Sequence, residues 1–507
     1  MHYRNPIIPG FHPDPSICRV GSDFYLVTSS FEYFPGVPVF HSRDLVSWKQ
    51  IGHCLTRKSQ LPLEKARSSG GIYAPTIRYH DGRFYMVTTN VSHGGNFYVS
   101  SEDPAGEWSE PIWVDQPGID PSLLFDGDGK VYFVSTSAKD PKGSRGSFQS
   151  QVDIATGKVG ECRHLWNGTG GAYPEGPHVF RKDGWYYLLM AEGGTEFGHM
   201  VTIARSRNVY GPFEPCPHNP ILSHRSIDTP LQSTGHSDLV EDEQGRWWIV
   251  FLACRHVGYP RMHHIGRETC LAPVEWTKDG WPVVNGGRPV ELGVETDRPM
   301  AQQVRSAGFV ENFASPKLGL QWNFRRNPDD GAWSLSRRAG RLALRCVATT
   351  LSDVSSPAPA FVGCRQEHLT CQAAVEMDFR PELPGDEAGM TVIMNEKYRC
   401  DIAVTRREGK RVAFLRRCVG SLVAETGTQA IGEGPATLCI AATPEWYEFT
   451  VQVAGGATIA LGKAEARHLS TELAEGFTGV YLGMYATGNG ADSPAWAEFE
   501  RFEYRGD

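Results

Sequence analysis

Aromatic and aliphatic residues alternate with polar residues in short stretches through the first part of the chain. One stretch, a turn followed by an alternating aromatic segment, occurs five times: GSDFYLVT (21–28), DGRFYMVT (81–88), DGKVYFVS (128–135), DGWYYLLM (183–190) and QGRWWIVF (244–251). Alternation with a period of two next to a turn predicts the return strand of a β-hairpin. Helical periodicity is nearly absent, so the pattern favours a repeated all-β unit.

Each return strand directly follows a predicted partner strand: DPSICRV (14–20), APTIRYH (74–80), DPSLLFD (120–126), EGPHVFR (175–181) and GHSDLVE (235–241). Weaker echoes such as SRDLVSW (42–48) indicate an outer strand and turn in each unit. Successive units are 47 to 61 residues apart, which suits a four-stranded sheet. Such repeats predict a five-bladed β-propeller, with sheets packed around a central channel. A β-sandwich of the same strands is the alternative, but it does not explain five equivalent units.

The repeat ends after DGWPVVNGG (279–287), and a different pattern begins near Phe309. The later stretches alternate between turns, as an antiparallel β-sandwich does; they include RLALRCVAT, AAVEMDFRP, RVAFLRRCV, YEFTVQVAG and GFTGVYLGMYATG. A length of 507 residues also favours two domains. We therefore predict a β-propeller over residues 1–295, a linker over 296–308 and a β-sandwich over 309–507.

Composition and charge narrow the choice of partner. The 55 glycines and 34 prolines agree with many turns, and the net charge of −8 comes without a basic run. Binding to nucleic acid or to an anionic membrane is therefore not expected. Neither a leader pattern nor an apolar run of membrane length is present, and the 12 cysteines are scattered without CxxC pairs. These features predict a cytoplasmic protein with reduced thiols.

Candidate catalytic groups emerge when the five hairpins are aligned on their aromatic residues. Eleven or twelve residues before each aromatic residue stand Asp14, Ala74, Asp120, Glu175 and His236. In a propeller, this register is expected to lie where the innermost strands meet the channel. A single acidic residue at the start of a strand is more typical of a turn or cap. Three carboxyl groups at one register favour a common site.

Grouped carboxyl groups facing a neutral ligand are what glycoside hydrolysis requires. One carboxylic acid protonates the departing oxygen, and one carboxylate activates water or attacks the sugar. A third carboxylate beside the acid disfavours its ionisation and keeps it protonated.

The segments FHPDPSI, GIDPSLLFD and AYPEGPHVF closely resemble, in this order, the three catalytic segments of glycoside hydrolase family 43. The resemblance covers almost the whole chain and is to the branch of β-xylosidases and α-L-arabinofuranosidases with a C-terminal β-sandwich. It implies an inverting, exo-acting hydrolase that releases a terminal pentose from xylo- or arabino-oligosaccharides. Asp14 resembles the general base and Glu175 the general acid, while Asp120 resembles the residue that raises the pKa of the acid and orients it.

The same resemblance implies further contacts with substrate. Arg267 resembles an arginine that contacts sugar hydroxyls, and the expected pocket-wall residues are Phe31, Phe34, Tyr73 and Asn90. Phe477 resembles a sandwich residue that closes the pocket. His236 resembles a histidine beneath the sugar that lies near or binds calcium in several members, so calcium is the expected cofactor. Its alternative role is a hydrogen-bonded channel histidine, since calcium prefers oxygen ligands.

Several choices stay open at this stage. Tyr73 stands where the best-known β-xylosidases of the branch carry tryptophan, which leaves xylose and arabinofuranose undecided. The alternatives to an exo-acting hydrolase are a non-catalytic carbohydrate-binding propeller, an endo-arabinanase-like hydrolase and a retaining β-fructosidase. The last of these has an Asn-Asp-Pro segment that HPDPS does not match. An oligosaccharide is the expected partner, and the sequence does not decide between a monomer and a homo-oligomer.

Overall fold

The computed structural model describes residues 2–137, 145–296, 302–354 and 357–507. Strands dominate these ranges, where the helical elements are α1 (Thr471–Ala474) and the 3-10 turns Asn285–Gly287 and Ala466–Leu469. No helix in the described ranges has the length and apolar character needed to cross a bilayer. The predicted all-β class is confirmed.

The first part of the chain forms five separate sheets, each built from strands that are consecutive in sequence. The strands of the first three sheets, with two flanking strands, are β1 (His2–Arg4), β2 (Ser16–Val20), β3 (Asp23–Val27), β4 (Tyr33–Phe34), β5 (Gly36–Ser42), β6 (Lys49–Leu55), β7 (Thr76–His80), β8 (Arg83–Asn90), β9 (Gly95–Ser101), β10 (Ile112–Trp113), β11 (Ile119–Phe125), β12 (Val131–Ser137), β13 (Gly146–Gln151) and β14 (Arg163–Trp166). Those that follow are β15 (Glu175–Lys182), β16 (Trp185–Glu192), β17 (Met200–Ser206), β18 (Glu214–Pro215), β19 (Leu222–Ser223), β20 (Leu231–Glu241), β21 (Trp247–Arg255), β22 (Glu268–Trp276), β23 (Pro282–Val284) and β24 (Gly293–Glu295).

These sheets are the five blades predicted from the repeat. Blade 1 has the order β2-β3-β5-β6, and blades 2 and 3 comprise β7 to β10 and β11 to β14. Blade 4 comprises β15 to β18 with β19 beside β17, and blade 5 comprises β20 to β23. The Asp-Gly turns at 81–82 and 183–184 have positive φ at both residues, as tight hairpins with matching twist require. The five-bladed propeller is confirmed.

The N-terminal segment closes the ring of blades by running along blade 5. The Asn5 side chain exchanges two hydrogen bonds with the backbone of Leu271, at 3.0 and 2.9 Å. The His12 amide donates to the Arg267 carbonyl at 3.0 Å, and β1 pairs with β24. The chain therefore enters blade 1 already attached to blade 5, which holds Asp14 close to Arg267.

The second part of the chain forms two antiparallel sheets, as predicted for a sandwich. Its strands are β25 (Gly308–Glu311), β26 (Phe324–Arg325), β27 (Trp333–Ser334), β28 (Leu342–Arg345), β29 (Ala360–Arg365), β30 (Cys371–Phe379), β31 (Glu387–Asn395), β32 (Tyr398–Arg407), β33 (Lys410–Val419), β34 (Leu422–Ala430), β35 (Ala436–Ala442), β36 (Trp446–Val453), β37 (Ile459–Glu465), β38 (Tyr481–Thr487) and β39 (Trp496–Gly506). One sheet has the order β27-β28-β39-β30-β35-β36-β37 with β25 on β39, and the other β29-β38-β31-β32-β33-β34. Residues 297–301 of the predicted linker lie outside the described residues.

The two domains share a strand pair and a core. Strand β4 of the propeller pairs with β26, which precedes the sandwich strands proper. Leu61 and Leu63 of the propeller belong to the same buried apolar cluster as Trp322 and much of the sandwich interior. Thr471 donates its amide to the His263 carbonyl at 3.0 Å, so α1 of the sandwich is fixed against blade 5. This contact places the sandwich over one end of the channel.

Candidate active site

A cavity of about 690 Å³ lies at the end of the channel that the sandwich covers. All five blades and the sandwich contribute to its walls: Asp14, Phe31, Tyr73, Ala74, Ile119, Asp120, Tyr173, Glu175, Gly194, Thr195, Glu196, Phe197, Ser233, His236, His263, Arg267, Thr471, Glu472, Gly476 and Phe477. The three carboxyl groups predicted from the repeat, Asp14, Asp120 and Glu175, meet here and are called the carboxylate floor.

The cavity narrows from an exposed aromatic rim to a buried floor. Tyr173 and Phe197 at the rim are 70% and 42% exposed, whereas Asp14 and Asp120 are 4% and 6% exposed. The Glu175 side chain, at 20%, is the most accessible of the three carboxyl groups. The shape suits a ligand that enters by one end and leaves the rest of itself outside.

Backbone geometry explains why side chains from separate blades converge. On the innermost strand of each blade, one residue pairs with the aromatic residue of the return strand. In four blades, the residue four positions before it has a left-handed backbone: Asp14 (φ 55°), Asp120 (φ 53°), Gly176 (φ 58°) and His236 (φ 36°). In blades 3, 4 and 5 a shift in strand pairing accompanies it. Such bulges redirect a side chain, here toward the channel. Aspartate and histidine tolerate this backbone region better than most residues.

The fourth blade corrects the sequence alignment by one residue. Because the hairpin of this blade has the short turn at 183–184, Phe180 is the residue that pairs with Tyr187. Counting four positions back from Phe180 leads to Gly176 rather than Glu175. Glu175 is the preceding residue and occupies the position of Tyr73 and Ile119 on blades 2 and 3, which also line the cavity. A Cβ atom at residue 176 would approach His236 Nε2 to 2.9 Å, so glycine is required there.

Asp14 is held as a carboxylate. Ser29 donates its hydroxyl to Oδ2 at 2.5 Å, and Arg267 donates Nη1–H to Oδ1 at 2.7 Å. His236 Nδ1 lies 3.6 Å from Oδ1. Burial acts to raise the pKa of Asp14, but Arg267, His236 and the Ser29 hydrogen bond outweigh it, so the pKa is lowered. The group is therefore ionised at neutral pH.

Asp120 is a buried carboxyl group close to Glu175. Burial, then the charges of Glu175 and Asp14, raise the pKa of Asp120 well above its usual range. The Gly176 amide donates to Asp120 Oδ2 at 3.3 Å and fixes this side chain. Asp120 therefore retains its proton at pH values where an isolated aspartate has lost it.

Arg267 connects the floor to the walls of the cavity. Besides Asp14, it donates to Thr195 Oγ1 at 3.3 Å and to the Phe477 carbonyl at 3.2 Å. Its guanidinium lies 5.6 Å from the ring centroid of Phe31 and 5.8 Å from that of Phe477. Nε–H is buried and has no hydrogen-bond partner among the described residues. This donor is free for a hydroxyl group of a ligand.

Three predicted aromatic residues do form one wall. The ring centroids of Phe31 and Tyr73 lie 5.3 Å apart, and Phe477 of the sandwich lies 6.1 Å from each of them. Tilted and edge-on contacts at these distances are favourable for aromatic rings. The wall therefore crosses the domain boundary.

Phe34 and Asn90 do not line the cavity, which corrects their assignment to its wall. Phe34 belongs to β4, where it pairs with Phe324 and packs into the core shared by the two domains. Asn90 is 1% exposed and donates its side-chain amide to the Pro62 carbonyl at 3.0 Å. Both residues support the wall from behind, because strand pairing and loop hydrogen bonds turn them away from the channel.

Several residues that line the cavity or contact its floor were not predicted from the sequence. His199 is fully buried, and its Nε2 lies 3.5 Å from Glu175 Oε1. Thr195 reaches the floor through Arg267, and Glu472 approaches from the sandwich. None of them stands at the repeated register, so the alignment of hairpins could not find them. The glycine-rich stretch EGGTEFGHM (192–200) is the signal of a loop at that position.

A second group of polar side chains lies next along the innermost strands and is called the channel cluster: Ser16, Arg78, His178 and Asp238. Asp238 accepts hydrogen bonds from Ser16 Oγ and from Arg78 Nη1, both at 2.7 Å. Arg78 Nη2 lies 2.9 Å from His178 Nδ1. Four blades contribute to this cluster, so it ties the inner strands together.

The residues around His236 do not fit calcium. Its Nδ1 faces Asp14, whose oxygens are already engaged by Arg267 and Ser29, and its Nε2 faces Gly176 closely. Over the described ranges, no group of three potential metal-ligating residues includes His236. Calcium requires six to eight oxygen ligands. The steps considered below therefore involve no calcium ion.

Comparison with known proteins gives the same picture for both domains. The family model described as glycosyl hydrolases family 43 matches residues 3–282. The model described as beta xylosidase C-terminal concanavalin A-like domain matches residues 310–505.

Full-length relatives agree with these matches. The chain is 44% identical to the non-reducing end alpha-L-arabinofuranosidase BoGH43B of Bacteroides ovatus, over 99% of this chain and 94% of that protein. It is 39% identical to a xylosidase/arabinosidase of Butyrivibrio fibrisolvens, over 98% of each. A solved structure, Bacteroides ovatus Xyloglucan PUL GH43B, superposes with a TM-score of 0.95 at 42% identity and covers all of both chains. The chain therefore belongs to glycosyl hydrolase family 43 and is a glycosidase.

Proposed function

We propose that the chain releases terminal α-L-arabinofuranose from arabino- and xylo-oligosaccharides with inversion of configuration. The cavity carries this proposal: its lining includes three carboxyl groups and Arg267, whose buried Nε–H has no hydrogen-bond partner among the described residues. The preference for arabinofuranose rests on the 44% identity to a protein named as an arabinofuranosidase.

Asp14 is the proposed general base. Its lowered pKa keeps it ionised, and Arg267 and Ser29 each occupy one lone pair on a different oxygen. A carboxylate oxygen has a second lone pair, so Asp14 retains acceptor capacity for a water molecule. It takes the proton of this water as the water attacks the anomeric carbon.

Glu175 is the proposed general acid, with Asp120 as its positioning neighbour. Glu175 is the most accessible of the three carboxyl groups, which places it nearest the leaving group among them. Asp120 is deeper, is fixed by the Gly176 amide and has a raised pKa. In the proposed step, the Glu175 carboxyl group gives its proton to the glycosidic oxygen as the bond from that oxygen to the anomeric carbon breaks, which releases the alcohol and leaves Glu175 as a carboxylate.

Exo action is proposed from the contribution of the sandwich to the cavity. Gly476 and Phe477 of the sandwich line the cavity together with the three carboxyl groups of the propeller, which supports a pocket closed on the side of the sandwich. A chain-internal sugar would need two open ends. A terminal sugar needs only one, so the pocket selects the end of an oligosaccharide.

The test compares nitrophenyl α-L-arabinofuranoside with nitrophenyl β-D-xyloside, followed by arabino-oligosaccharides and xylobiose. We expect kcat/KM to favour the arabinofuranoside by about tenfold, roughly 1.4 kcal/mol in transition-state binding. Proton NMR of the first-formed sugar is expected to show the inverted anomer. A retained anomer would refute the assigned roles of Asp14 and Glu175.

A β-xylosidase is the second candidate. The relative from Butyrivibrio fibrisolvens is named for both activities, and a protein of Escherichia coli K12 named as a putative beta-xylosidase is 35% identical over 81% of this chain and 80% of its own length. Equal or higher kcat/KM on the xyloside would select this candidate and leave the chemistry of the floor unchanged.

The protein is also proposed to act in the cytoplasm. The ten buried cysteines form no disulfide, as expected for a chain that folds in a reducing compartment. Fractionation of the source cells, followed by activity measurements on each fraction, tests this location. Activity confined to the extracellular fraction would overturn it.

A further inference from the structure

We propose that Cys254, His256 and His263 bind a zinc ion where blade 5 meets the sandwich. One potential ligand atom from each residue lies within 4.8 Å of the others. The proposed site borders the active-site cavity through His263 but shares no residue with the carboxylate floor. It is thus a site separate from the chemistry of glycoside hydrolysis.

Local backbone structure brings the three residues together. Cys254 lies near the end of β21, and His256 follows directly after that strand. Val257 and Met262 then pair with each other through hydrogen bonds of 2.8 and 3.1 Å. This pairing returns the chain so that His256 and His263 stand side by side, with ring centroids 5.1 Å apart.

His256 is a buried imidazole with unused ligand capacity. Its side chain is 2% exposed, and neither ring nitrogen makes a hydrogen bond among the described residues. The nearest charged group is Glu472, 3.9 Å from Nε2. Buried polar groups are nearly always satisfied, and an unsatisfied one is destabilising. A bound cation would supply the missing partner.

Glu472 orients His263 for metal binding. Its Oε1 lies 2.7 Å from His263 Nδ1, and its Oε2 accepts the His263 amide at 3.0 Å. A carboxylate on one nitrogen fixes the imidazole and leaves the other nitrogen free for a metal ion. A potential ligand atom of Cys254 lies within 4.8 Å of one on this ring. Because Glu472 belongs to α1 of the sandwich, the site links the two domains.

The donor set selects the kind of metal. One thiolate and two imidazoles are ligands of zinc and of similar transition metals, whereas calcium takes oxygen ligands. Three protein ligands leave a fourth tetrahedral position for water. Ligand atoms around tetrahedral zinc lie about 3.5 Å apart. The two imidazole planes are nearly parallel, at 10°, so binding requires one ring to rotate until both nitrogen lone pairs point at the ion.

The experiment uses the full-length protein, stripped with a chelator and titrated with zinc by calorimetry. We expect one zinc ion per chain and a rise in Tm on binding, since a ligand of the folded state stabilises it. Cobalt in place of zinc is expected to give a thiolate-to-metal charge-transfer band, which reports Cys254 directly. This spectrum is recorded on the unaltered chain and does not depend on whether a variant folds.

Variants then assign the ligands. Cys254→Ser and His256→Gln are expected to abolish one-to-one binding, and Glu472→Gln to weaken it by about 10- to 100-fold. Cys216→Ser, which changes a buried free cysteine elsewhere in the propeller, is the matched control and should bind normally. The proposal is overturned if the unaltered chain binds no stoichiometric zinc, if cobalt gives no thiolate band, or if folded Cys254→Ser binds as the control does.

Discussion

The carboxylate floor and the channel cluster are neighbours on the same inner strands but differ in charge balance. The floor sets three carboxyl groups against the single guanidinium of Arg267. The channel cluster pairs the one carboxylate of Asp238 with the one guanidinium of Arg78, and a serine hydroxyl completes the contact. Both groups are largely buried, so they differ in the balance of positive and negative charge rather than in burial.

This difference separates a reactive group of charges from a structural one. Excess negative charge in a buried site prevents all the carboxyl groups from ionising together, and so provides an acid and a base side by side. A balanced pair satisfies its own charges and leaves none for chemistry. Removing a floor residue should therefore reduce activity more than stability, and removing a cluster residue should do the reverse.

The largest effect is expected for Asp14→Ala. Without the base, kcat should fall by about 10⁴-fold on every substrate, because a good leaving group does not replace activation of water. Because the buried Arg267 guanidinium also loses its carboxylate partner, the free energy of unfolding should fall by about 3 kcal/mol as well, and parallel measurements of kcat and of urea unfolding check both parts. Activity within tenfold of the unaltered enzyme would remove Asp14 from the proposed mechanism.

Glu175→Ala should divide the substrates into two groups. We expect kcat to fall by about 10³-fold on oligosaccharides but by less than about tenfold on nitrophenyl glycosides, whose leaving groups need little protonation. Steady-state kinetics on both substrate classes measures the split. An equal loss on both would assign the proton transfer to another group.

Asp238→Asn should break the channel cluster and lower stability. It leaves Arg78 without its carboxylate partner, which should reduce the free energy of unfolding by about 3 kcal/mol. Burial acts to raise the pKa of Asp238, but the charges of Arg78 and His178 and the hydrogen bonds from Arg78 and Ser16 outweigh burial and lower this pKa. The ion pair therefore stabilises the fold above the unfolded pKa of about 3.9 and is lost as pH falls through the lower folded value.

Urea unfolding, measured from pH 7 to acidic pH, gives the difference in the free energy of unfolding between Asp238→Asn and the unaltered chain. This difference should be largest at pH 7 and should shrink on acidification. A difference that does not depend on pH would argue against the ion pair. The folded Asp238→Asn variant should retain most of the kcat of the unaltered enzyme.

The smallest effect is expected for Phe477→Ala. This ring contributes to the wall but carries no proton, so we expect KM to rise by about tenfold with kcat changed by less than about threefold. Leu473→Ala, at an exposed residue of α1, is the matched control. A large fall in kcat with unchanged KM would place the ring in the transition state rather than in the wall.

The architecture was predictable because it depends on local signals. Alternation with a period of two and Asp-Gly turns specify hairpins, and five equivalent hairpins at intervals of 47 to 61 residues leave few folds other than a propeller. The floor followed from the same repeat, although Glu175 occupies the position before the one assigned to it. The alignment of hairpins accepted a spacing of eleven or twelve residues before the aromatic residue. It therefore could not detect that the turn of blade 4 is shorter by one residue.

Other features depend on contacts between distant segments. Phe34 stands beside residues of the wall in sequence, but its pairing with Phe324 withdraws it into the core. The cluster of Cys254, His256 and His263 gains its orienting carboxylate only from Glu472, more than 200 residues later in the chain. No local pattern records such pairings, so the structure was needed to find them.

The pairing of β4 with β26 limits how this chain can be divided or recombined. Their shared apolar cluster means that a gene fragment encoding only the propeller would expose surface that the sandwich normally covers. Exchange of one domain between family members would also exchange part of the wall that Phe31, Tyr73 and Phe477 build together. Inheritance and engineering should therefore treat the two domains as a single unit.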